Sequence, residues 1–263
     1  MSAGKLKVTI LGCGTSLGVP ALGRAGWGDC DPNNPKNRRQ RCALLVQTDN
    51  TNVLVDAGPD IRNQLIPFGL TKIDALLITH THADHIAGLD DIRTFYWPDR
   101  VKIPVYATDE HANDIVTRYP YLFTKKESSP SYFEPPLAHQ SITAGDVLTV
   151  GDVHIQTMHQ DHGNTFSLGF IFNELVGYST DLVSMPDENF EKLAHIPVWI
   201  VEALRTQTHQ AHSHLDQTLE WIEKVKPGQA YLTHLGLEAD YDVFEKATPD
   251  HVSPAYDGLK ISL

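Results

Sequence analysis

Four side chains that can bind a metal ion lie within six consecutive positions of the sequence. They are His80, His82, Asp84 and His85, and they directly follow the apolar run ALLIT. Imidazole and carboxylate groups suit zinc, manganese or iron, and the end of a strand is a rigid place from which a loop can aim ligands. An extended loop would place the first three on one face, whereas a turn would divide the four between two ions. A polar loop with chance histidines is the alternative, and the density of ligands argues against it.

A second histidine-rich segment, HSHLD at residues 212–216, precedes the amphipathic run LDQTLEWIEKVK. A histidine beside bound cations could contact a phosphate oxygen or protonate a leaving alkoxide. We therefore take His212 as a candidate for catalysis and substrate binding, and His214 as a candidate for substrate binding. The alternative is a solvated loop in which Asp216 caps the helix, and the sequence leaves both interpretations open.

The strands and helices that must position these residues occur in the same succession twice along the chain. Each time, β-rich segments are followed by βα units. This order predicts an α/β (α+β) chain in which two sheets pack face to face with helices outside, a four-layer αββα sandwich. With 263 residues the chain is short enough for one domain spanning residues 1–263. A long loop rich in Gly, Pro and Asn follows the first strand, and residues 124–145 are predicted to be an irregular segment that could cover a site.

Composition and charge limit the classes of partner. The formal net charge of −12 disfavours an extended nucleic acid, but bound cations would dominate the potential around a small phosphorylated substrate. Neither a membrane span nor a signal-peptide pattern is evident, so we expect a cytoplasmic protein without a membrane partner. The three cysteines are too scattered for a disulfide framework. A homodimer is expected only because twofold dimers are the commonest soluble oligomers.

The run HTHADH at residues 80–85 matches the HxHxDH signature of the metallo-β-lactamase superfamily, and the chain resembles that superfamily from its first strand to its last. The resemblance implies an αββα fold and two divalent metal ions, zinc or manganese. The implied ligands of one ion are His80, His82 and His162. The implied ligands of the other are Asp84, His85 and His234, with Asp181 shared by both.

Several of these positions have alternatives. His159 competes with His162, although Gly163 and the following SLGF strand favour His162. Asp181 could instead cap a helix, and His234 could be an ordinary histidine at a strand end. Asp56, in LVDAGPD, would either orient a ligand imidazole or close its strand as a turn residue.

Two cations about 3.5–4 Å apart would lower the pKa of a shared water and clamp the reacting oxygens. The predicted reaction is attack of a metal-bound hydroxide on an ester, with Asp84 orienting the hydroxide. The segments GCGTSLGVP, PKNRRQRCALL and HSHLD resemble the PhnP-like branch of phosphoribosyl 1,2-cyclic phosphate phosphodiesterases. That resemblance implies that His212 is the catalytic acid. Candidate phosphate contacts are Arg38, Arg39 and Arg41, for which a surface charge run is the alternative.

One departure from that branch concerns the first long loop, which holds only Cys30 where the branch has a cysteine-rich structural zinc site. The loop that helps to shape the substrate pocket must therefore differ from that of the branch. Other candidates of the same fold are a tRNA 3′-processing endonuclease and a lactonase or thioesterase. A protein that binds metal and a nucleotide without turnover is the alternative from another class. The HSHLD segment favours a phosphoester, and the complete ligand set argues for catalysis.

Overall fold

The computed structural model describes residues 5–263, so residues 1–4 of the segment that lacks a signal-peptide pattern lie outside it. Within this part of the chain, two seven-stranded sheets form. The strands are β1 (Lys7–Gly12), β2 (Ala43–Gln47), β3 (Asn52–Val55), β4 (Ala75–Leu77), β5 (Ile103–Ala107), β6 (Leu137–Ser141), β7 (Val147–Val150), β8 (Val153–His162), β9 (Thr165–Phe172), β10 (Val176–Ser179), β11 (Val198–Glu202), β12 (Gln229–Thr233), β13 (Val252–Pro254) and β14 (Leu259–Ser262). The strand orders are β14-β1-β2-β3-β4-β5-β6 and β13-β12-β11-β10-β9-β8-β7.

The helices cover the outer faces of both sheets. They are α1 (Ile61–Leu65), α2 (Ala83–Ile86), α3 (Leu89–Ile92), α4 (Asp109–Arg118), α5 (Pro120–Phe123), α6 (Asp187–Leu193), α7 (Leu215–Val225) and α8 (Tyr241–Ala247). Short 3₁₀ helices lie at Pro35–Asn37, Ile66–Phe68 and Arg93–Tyr96. The predicted four-layer αββα sandwich is confirmed. No helix in residues 5–263 is long and apolar enough to cross a membrane.

The sandwich arises because its central strands are apolar on both faces. On β2, Leu44 and Val46 pack into the core between the sheets, whereas Leu45 packs against the outer helices. Strand β9 contributes Phe170 and Phe172 to the core between the sheets. Strands buried on two faces read as continuous apolar runs, and this pattern places both sheets inside the molecule.

The structure differs from the sequence prediction at two elements. The run DHIAGLDDIRTFYW, which reads as one helix, is broken at Gly88, where a Cβ atom would lie 2.1 Å from the carbonyl oxygen of Gly58. The prediction that residues 124–145 are irregular is wrong at β6, which pairs in parallel with β5. The β6 sequence LAHQS lacks the apolar alternation typical of a strand, so its pairing depends on the tertiary context.

The first long loop is fixed by a buried polar network. The guanidinium of Arg39, 2% exposed, donates to Oδ1 of Asn37 at 3.1 Å. The amide of Asn37 donates to Asp240 at 2.6 Å, and its Oδ1 accepts from the backbone N–H of Tyr241 at 2.8 Å. These bonds tie the loop to the beginning of α8. The three cysteines are buried free thiols, as expected.

Candidate metal centre

The predicted metal ligands follow or end strands whose carboxyl ends point toward one side of the sandwich. In the first sheet, His80 lies three residues after β4, and His82 is the N-cap of α2, which contains Asp84 and His85. In the second sheet, the residues are His162 at the end of β8, Asp181 just after β10 and His234 directly after β12. Strands β10, β11 and β12 are parallel, so their carboxyl ends meet at one edge. The structure thus brings all seven residues together.

The seven side chains form two groups in which the candidate ligand atoms lie within 4.8 Å of one another. One group is His80, His82 and His162, and the other is Asp84, His85, Asp181 and His234. The carboxylate of Asp181 lies between the groups. Its distances to the Nε2 atoms are 3.1 Å for His85, 3.3 Å for His234, 3.8 Å for His162 and 3.9 Å for His80. This is the placement that the sequence analysis implied for a shared carboxylate.

The unsatisfied atoms of the cluster fit divalent metal ions. The Nε2 atoms of His80, His85 and His234 are buried and have no hydrogen-bond partner within residues 5–263. Burial, together with the neighbouring His85, lowers the pKa of His80 well below its usual value, so this imidazole is neutral. Neutral imidazole nitrogens and carboxylate oxygens are the donors that zinc and manganese accept.

Two carboxylates of the cluster carry charge in spite of their burial. Burial alone would raise the pKa of Asp181, but His234 and His85 hold it well below the usual range. For Asp84, His85 and His234 likewise outweigh burial and lower the pKa. Ionised carboxylates among imidazoles give the pocket the negative charge that attracts a cation.

Asp56 orients one of the candidate ligands. Its Oδ2 lies 2.7 Å from Nδ1 of His85 and accepts a hydrogen bond from the Thr79 hydroxyl at 2.8 Å. Its Oδ1 accepts from the backbone N–H of Thr79 at 2.9 Å. The structure therefore gives Asp56 the orienting contact considered from the sequence. A carboxylate on Nδ1 leaves Nε2 of His85 directed into the cluster.

Glu202, the last residue of β11, is a site residue that sequence reasoning missed. It is fully buried, and its Oε1 lies 2.5 Å from Nδ1 of His212 and 2.9 Å from Nδ1 of His234. Its Oε2 accepts from the backbone N–H of Leu182 at 2.6 Å. Burial would raise its pKa, but His212 and His234 lower it. The sequence feature that could have indicated this role is a carboxylate at the carboxyl end of the apolar strand VWIVE.

Of the two histidines that compete as metal ligands, the structure places His162 in the cluster and His159 outside it. Nδ1 of His162 lies 2.7 Å from the carbonyl oxygen of Ala211, whereas His159 is exposed and stacks on Phe166 outside both groups. His212 lies against the cluster, stacked on His234 with ring centroids 4.9 Å apart. His214 precedes α7 and is not among the residues of either group.

The three candidate arginines have different environments. Arg38 stacks over Trp27, and Arg39 is buried in the loop network described above. Arg41 alone lines a cavity together with Asp84, and its Nε lies 2.9 Å from Asp60. Arg41 is therefore the candidate phosphate contact that shares a cavity with a residue of the cluster.

The backbone of the site is strained at three of these positions. Asp56, Asp181 and His234 have φ angles of 61°, 56° and 54°, in the left-handed region that non-glycine residues seldom adopt. Strain of this kind costs about 1–3 kcal/mol per residue and persists where the surrounding structure enforces it. The surrounding fold therefore enforces these three backbone conformations, and they determine where the two carboxylates and the imidazole lie.

Comparisons with known proteins agree with this geometry. The model of the beta-lactamase superfamily domain matches residues 51–235. The crystal structure of a diphosphatase from the PhnP family has a TM-score of 0.88 and 31% identity, over 98% of this chain and 97% of that chain. Ribonuclease Z of Mycolicibacterium gilvum is 26% identical over 87% of this chain and 84% of its own length.

A longer relative is the octanoyltransferase of Porphyromonas gingivalis, 30% identical over 97% of this chain. The present chain spans about half of that protein, 51% of its length. The αββα fold is that of the superfamily's metal-dependent hydrolases, and the His/Asp cluster could hold divalent metal ions. The chain belongs to the metallo-β-lactamase superfamily and, within it, to the PhnP family.

Proposed function

We propose that the protein hydrolyses small phosphodiesters of the cyclic ribose phosphate or nucleotide type. The observation that carries this proposal is the position of His212, which is fixed by Glu202 at 2.5 Å and lies against the metal cluster. The thiolate of a thioester leaves readily without a proton, whereas an alkoxide leaving a phosphate requires one. The PhnP-family diphosphatase supports a phosphorus-centred reaction.

The seven clustered residues would hold two divalent cations, zinc or manganese. Such a pair supplies an acidified water and neutralises charge on the phosphoryl oxygens. In this proposal Asp84 would orient the attacking water and accept its proton. His212 keeps Nδ1 against Glu202, so its Nε2 is the ring atom that would donate a proton to the leaving oxygen.

The small size of the proposed substrate follows from charge. A net charge of −12 repels a long polyanion, whereas a substrate with one or two phosphates can be held by the cations and Arg41. Ribonuclease Z is a relative, so processing of transfer RNA is the second candidate. Weak binding of transfer RNA at physiological salt would favour a small phosphodiester as the substrate over transfer RNA.

The test is a panel of ester classes offered to zinc- or manganese-loaded protein. We expect turnover of bis(p-nitrophenyl) phosphate and of nucleoside cyclic phosphates, with much slower turnover of a thioester and a lactone. For nucleoside cyclic phosphates, whose leaving group is an alkoxide, His212→Ala should lower kcat about 10²–10⁴-fold with unchanged metal content. His154→Ala, which removes an exposed imidazole of β8, is the matched control. A protein that binds metal but hydrolyses no phosphodiester would overturn the proposal.

A further inference from the structure

A cavity of about 420 Å³ opens beside the metal cluster. We call it the side cavity, and its wall includes Leu17, Ala21, Leu22, Ala25, Ala83 and Ala87. The first four of these residues belong to the loop after β1, and the last two belong to or directly follow α2. Asp84 is part of the same wall, so the cavity adjoins the candidate metal site. A volume of this size is within the range of small-ligand pockets.

The chemistry of the side cavity is mainly apolar. Leu22 is 97% exposed and Leu17 is 57% exposed, so both leucines present carbon surface at the cavity without contributing to the core. A sugar placed here would leave most of its hydroxyl groups without partners, which is costly. A flat ring with few polar atoms would bury apolar surface on both sides.

One positively charged side chain distinguishes the side cavity from a general apolar groove. Arg41 lies in its wall with Asp84, and the pairing of Nε with Asp60 anchors its guanidinium. A guanidinium stacks on aromatic faces and binds phosphate oxygens, whereas an aliphatic chain gains neither interaction. The arrangement therefore favours a ligand in which a ring is attached to a phosphate.

We propose that the side cavity binds an uncharged aromatic or heteroaromatic group of the substrate, while the phosphate that carries this group lies at the metal cluster beside Arg41. The inference rests on the proposed function and makes it more specific, because it selects phosphoesters of planar ring compounds, including nucleosides, over esters of small alcohols. Leu22, Leu17 and Ala87 are then determinants of substrate specificity.

The experiment uses phosphonates, which the enzyme cannot hydrolyse, so that binding is measured apart from turnover. Calorimetry of the zinc-loaded protein would compare phenylphosphonate with methylphosphonate. We expect phenylphosphonate to bind about tenfold more tightly, as partial burial of a ring predicts. Leu22→Ser and Ala87→Phe should each reduce this preference to about twofold or less, the first by removing contact area and the second by filling the cavity.

Two controls match these variants. Ile66→Ser removes an exposed aliphatic side chain outside the cavity, and Ala194→Phe adds a ring at an exposed position after α6. Both should keep the tenfold preference. Equal affinity for the two phosphonates in the wild type, or a preference that survives in both cavity variants, would overturn the inference and leave the proposed phosphodiesterase standing. If neither phosphonate binds and no phosphodiester is hydrolysed, both proposals fail together.

Discussion

Asp181 and Glu202 approach the imidazoles of the site from opposite sides. Asp181 lies 3.1 Å from Nε2 of His85 and 3.3 Å from Nε2 of His234, on the side where cations would bind. Glu202 instead lies 2.9 Å from Nδ1 of His234 and 2.5 Å from Nδ1 of His212. One carboxylate is therefore a candidate ligand, and the other fixes the orientation of a candidate ligand and of the candidate acid.

The substitution Glu202→Gln tests this second role. The amide has only one acceptor oxygen, so it cannot accept from the Leu182 N–H with one side-chain atom and from His212 with the other, as the carboxylate does. We expect kcat/KM or zinc affinity to fall about 10–100-fold, as for other residues that hold ligand histidines. Zinc titration and steady-state kinetics measure the two effects separately. Glu188→Gln, at an exposed position of α6, is the control. A Glu202→Gln enzyme with normal affinity and turnover would show that the contact is structural.

At the scale of elements, the sequence predicts what is local and periodic. The hairpin of β2 and β3, in which Gln47 pairs with Asn52, is of this kind because two apolar runs flank the polar residues 48–51. Gly88 and β6 were not predictable in this way, because both depend on contacts with distant segments. The four ligands at residues 80–85 were accessible because they lie close together after an apolar strand, and the other three because the chain resembles a known superfamily. Glu202 was not, because a single carboxylate carries no spacing pattern.

The close approach of α2 to the loop after β3 gives a prediction for Gly88→Ala. The added Cβ would meet the carbonyl oxygen of Gly58 at 2.1 Å and Ile61 at 2.5 Å, so α2 must move. We expect a loss of about 1–3 kcal/mol in the free energy of unfolding. Because α2 carries Asp84 and His85, zinc affinity should fall as well.

Gly145→Ala serves as the comparison for that variant. A Cβ at Gly145 meets no atom within 4 Å, although its φ of 93° makes alanine strained. It should cost about 1 kcal/mol of stability and leave zinc affinity unchanged. Chemical denaturation and zinc titration of the two variants provide the test. Equal zinc affinity in both would contradict the link between the helix contact and the metal site.

Asp257 connects the turn before β14 to the first loop. Its carboxylate accepts from the backbone N–H of Cys13 at 3.1 Å and of Gln40 at 2.7 Å, with Arg39 nearby. Burial nevertheless raises the pKa of Asp257 to about 7. A raised carboxyl pKa means that the folded state holds the proton more tightly than the unfolded chain. Its contribution to stability is therefore present at low pH and is lost as pH rises through about 7.

Asp257→Asn imitates the protonated carboxyl group and tests this pH dependence. The free energy of unfolding of the wild type, measured relative to the variant, should fall between about pH 4 and pH 7 and then level off. Urea denaturation across that range gives the difference directly, because the other titrating groups are common to both proteins. A difference that rises with pH would contradict the sign.

At the scale of the whole molecule, the metal cluster joins the two sheets. His80, His82 and His85 come from the first sheet, whereas His162, Asp181 and His234 come from the second. A cation bound by both sets would crosslink the sandwich in the folded state only. Binding to the folded state at about 1,000 times the dissociation constant adds about 4 kcal/mol of stability.

We therefore expect removal of metal to lower Tm by about 10 °C for a chain of this size. Thermal unfolding with and without a chelator, followed by addition of zinc or manganese, measures the shift. In Asp181→Ala the shift should largely disappear, because the carboxylate between the two groups is missing. A wild-type Tm that does not respond to metal would contradict the crosslink.

The most direct test of a two-metal phosphodiesterase is turnover of bis(p-nitrophenyl) phosphate followed against the number of zinc or manganese ions bound per chain. Metal-free protein would be titrated while metal content and rate are measured on the same samples. We predict that activity is absent without metal and reaches its maximum at about two ions per chain. Full activity without metal, or two bound ions with no phosphodiester turnover, would contradict it.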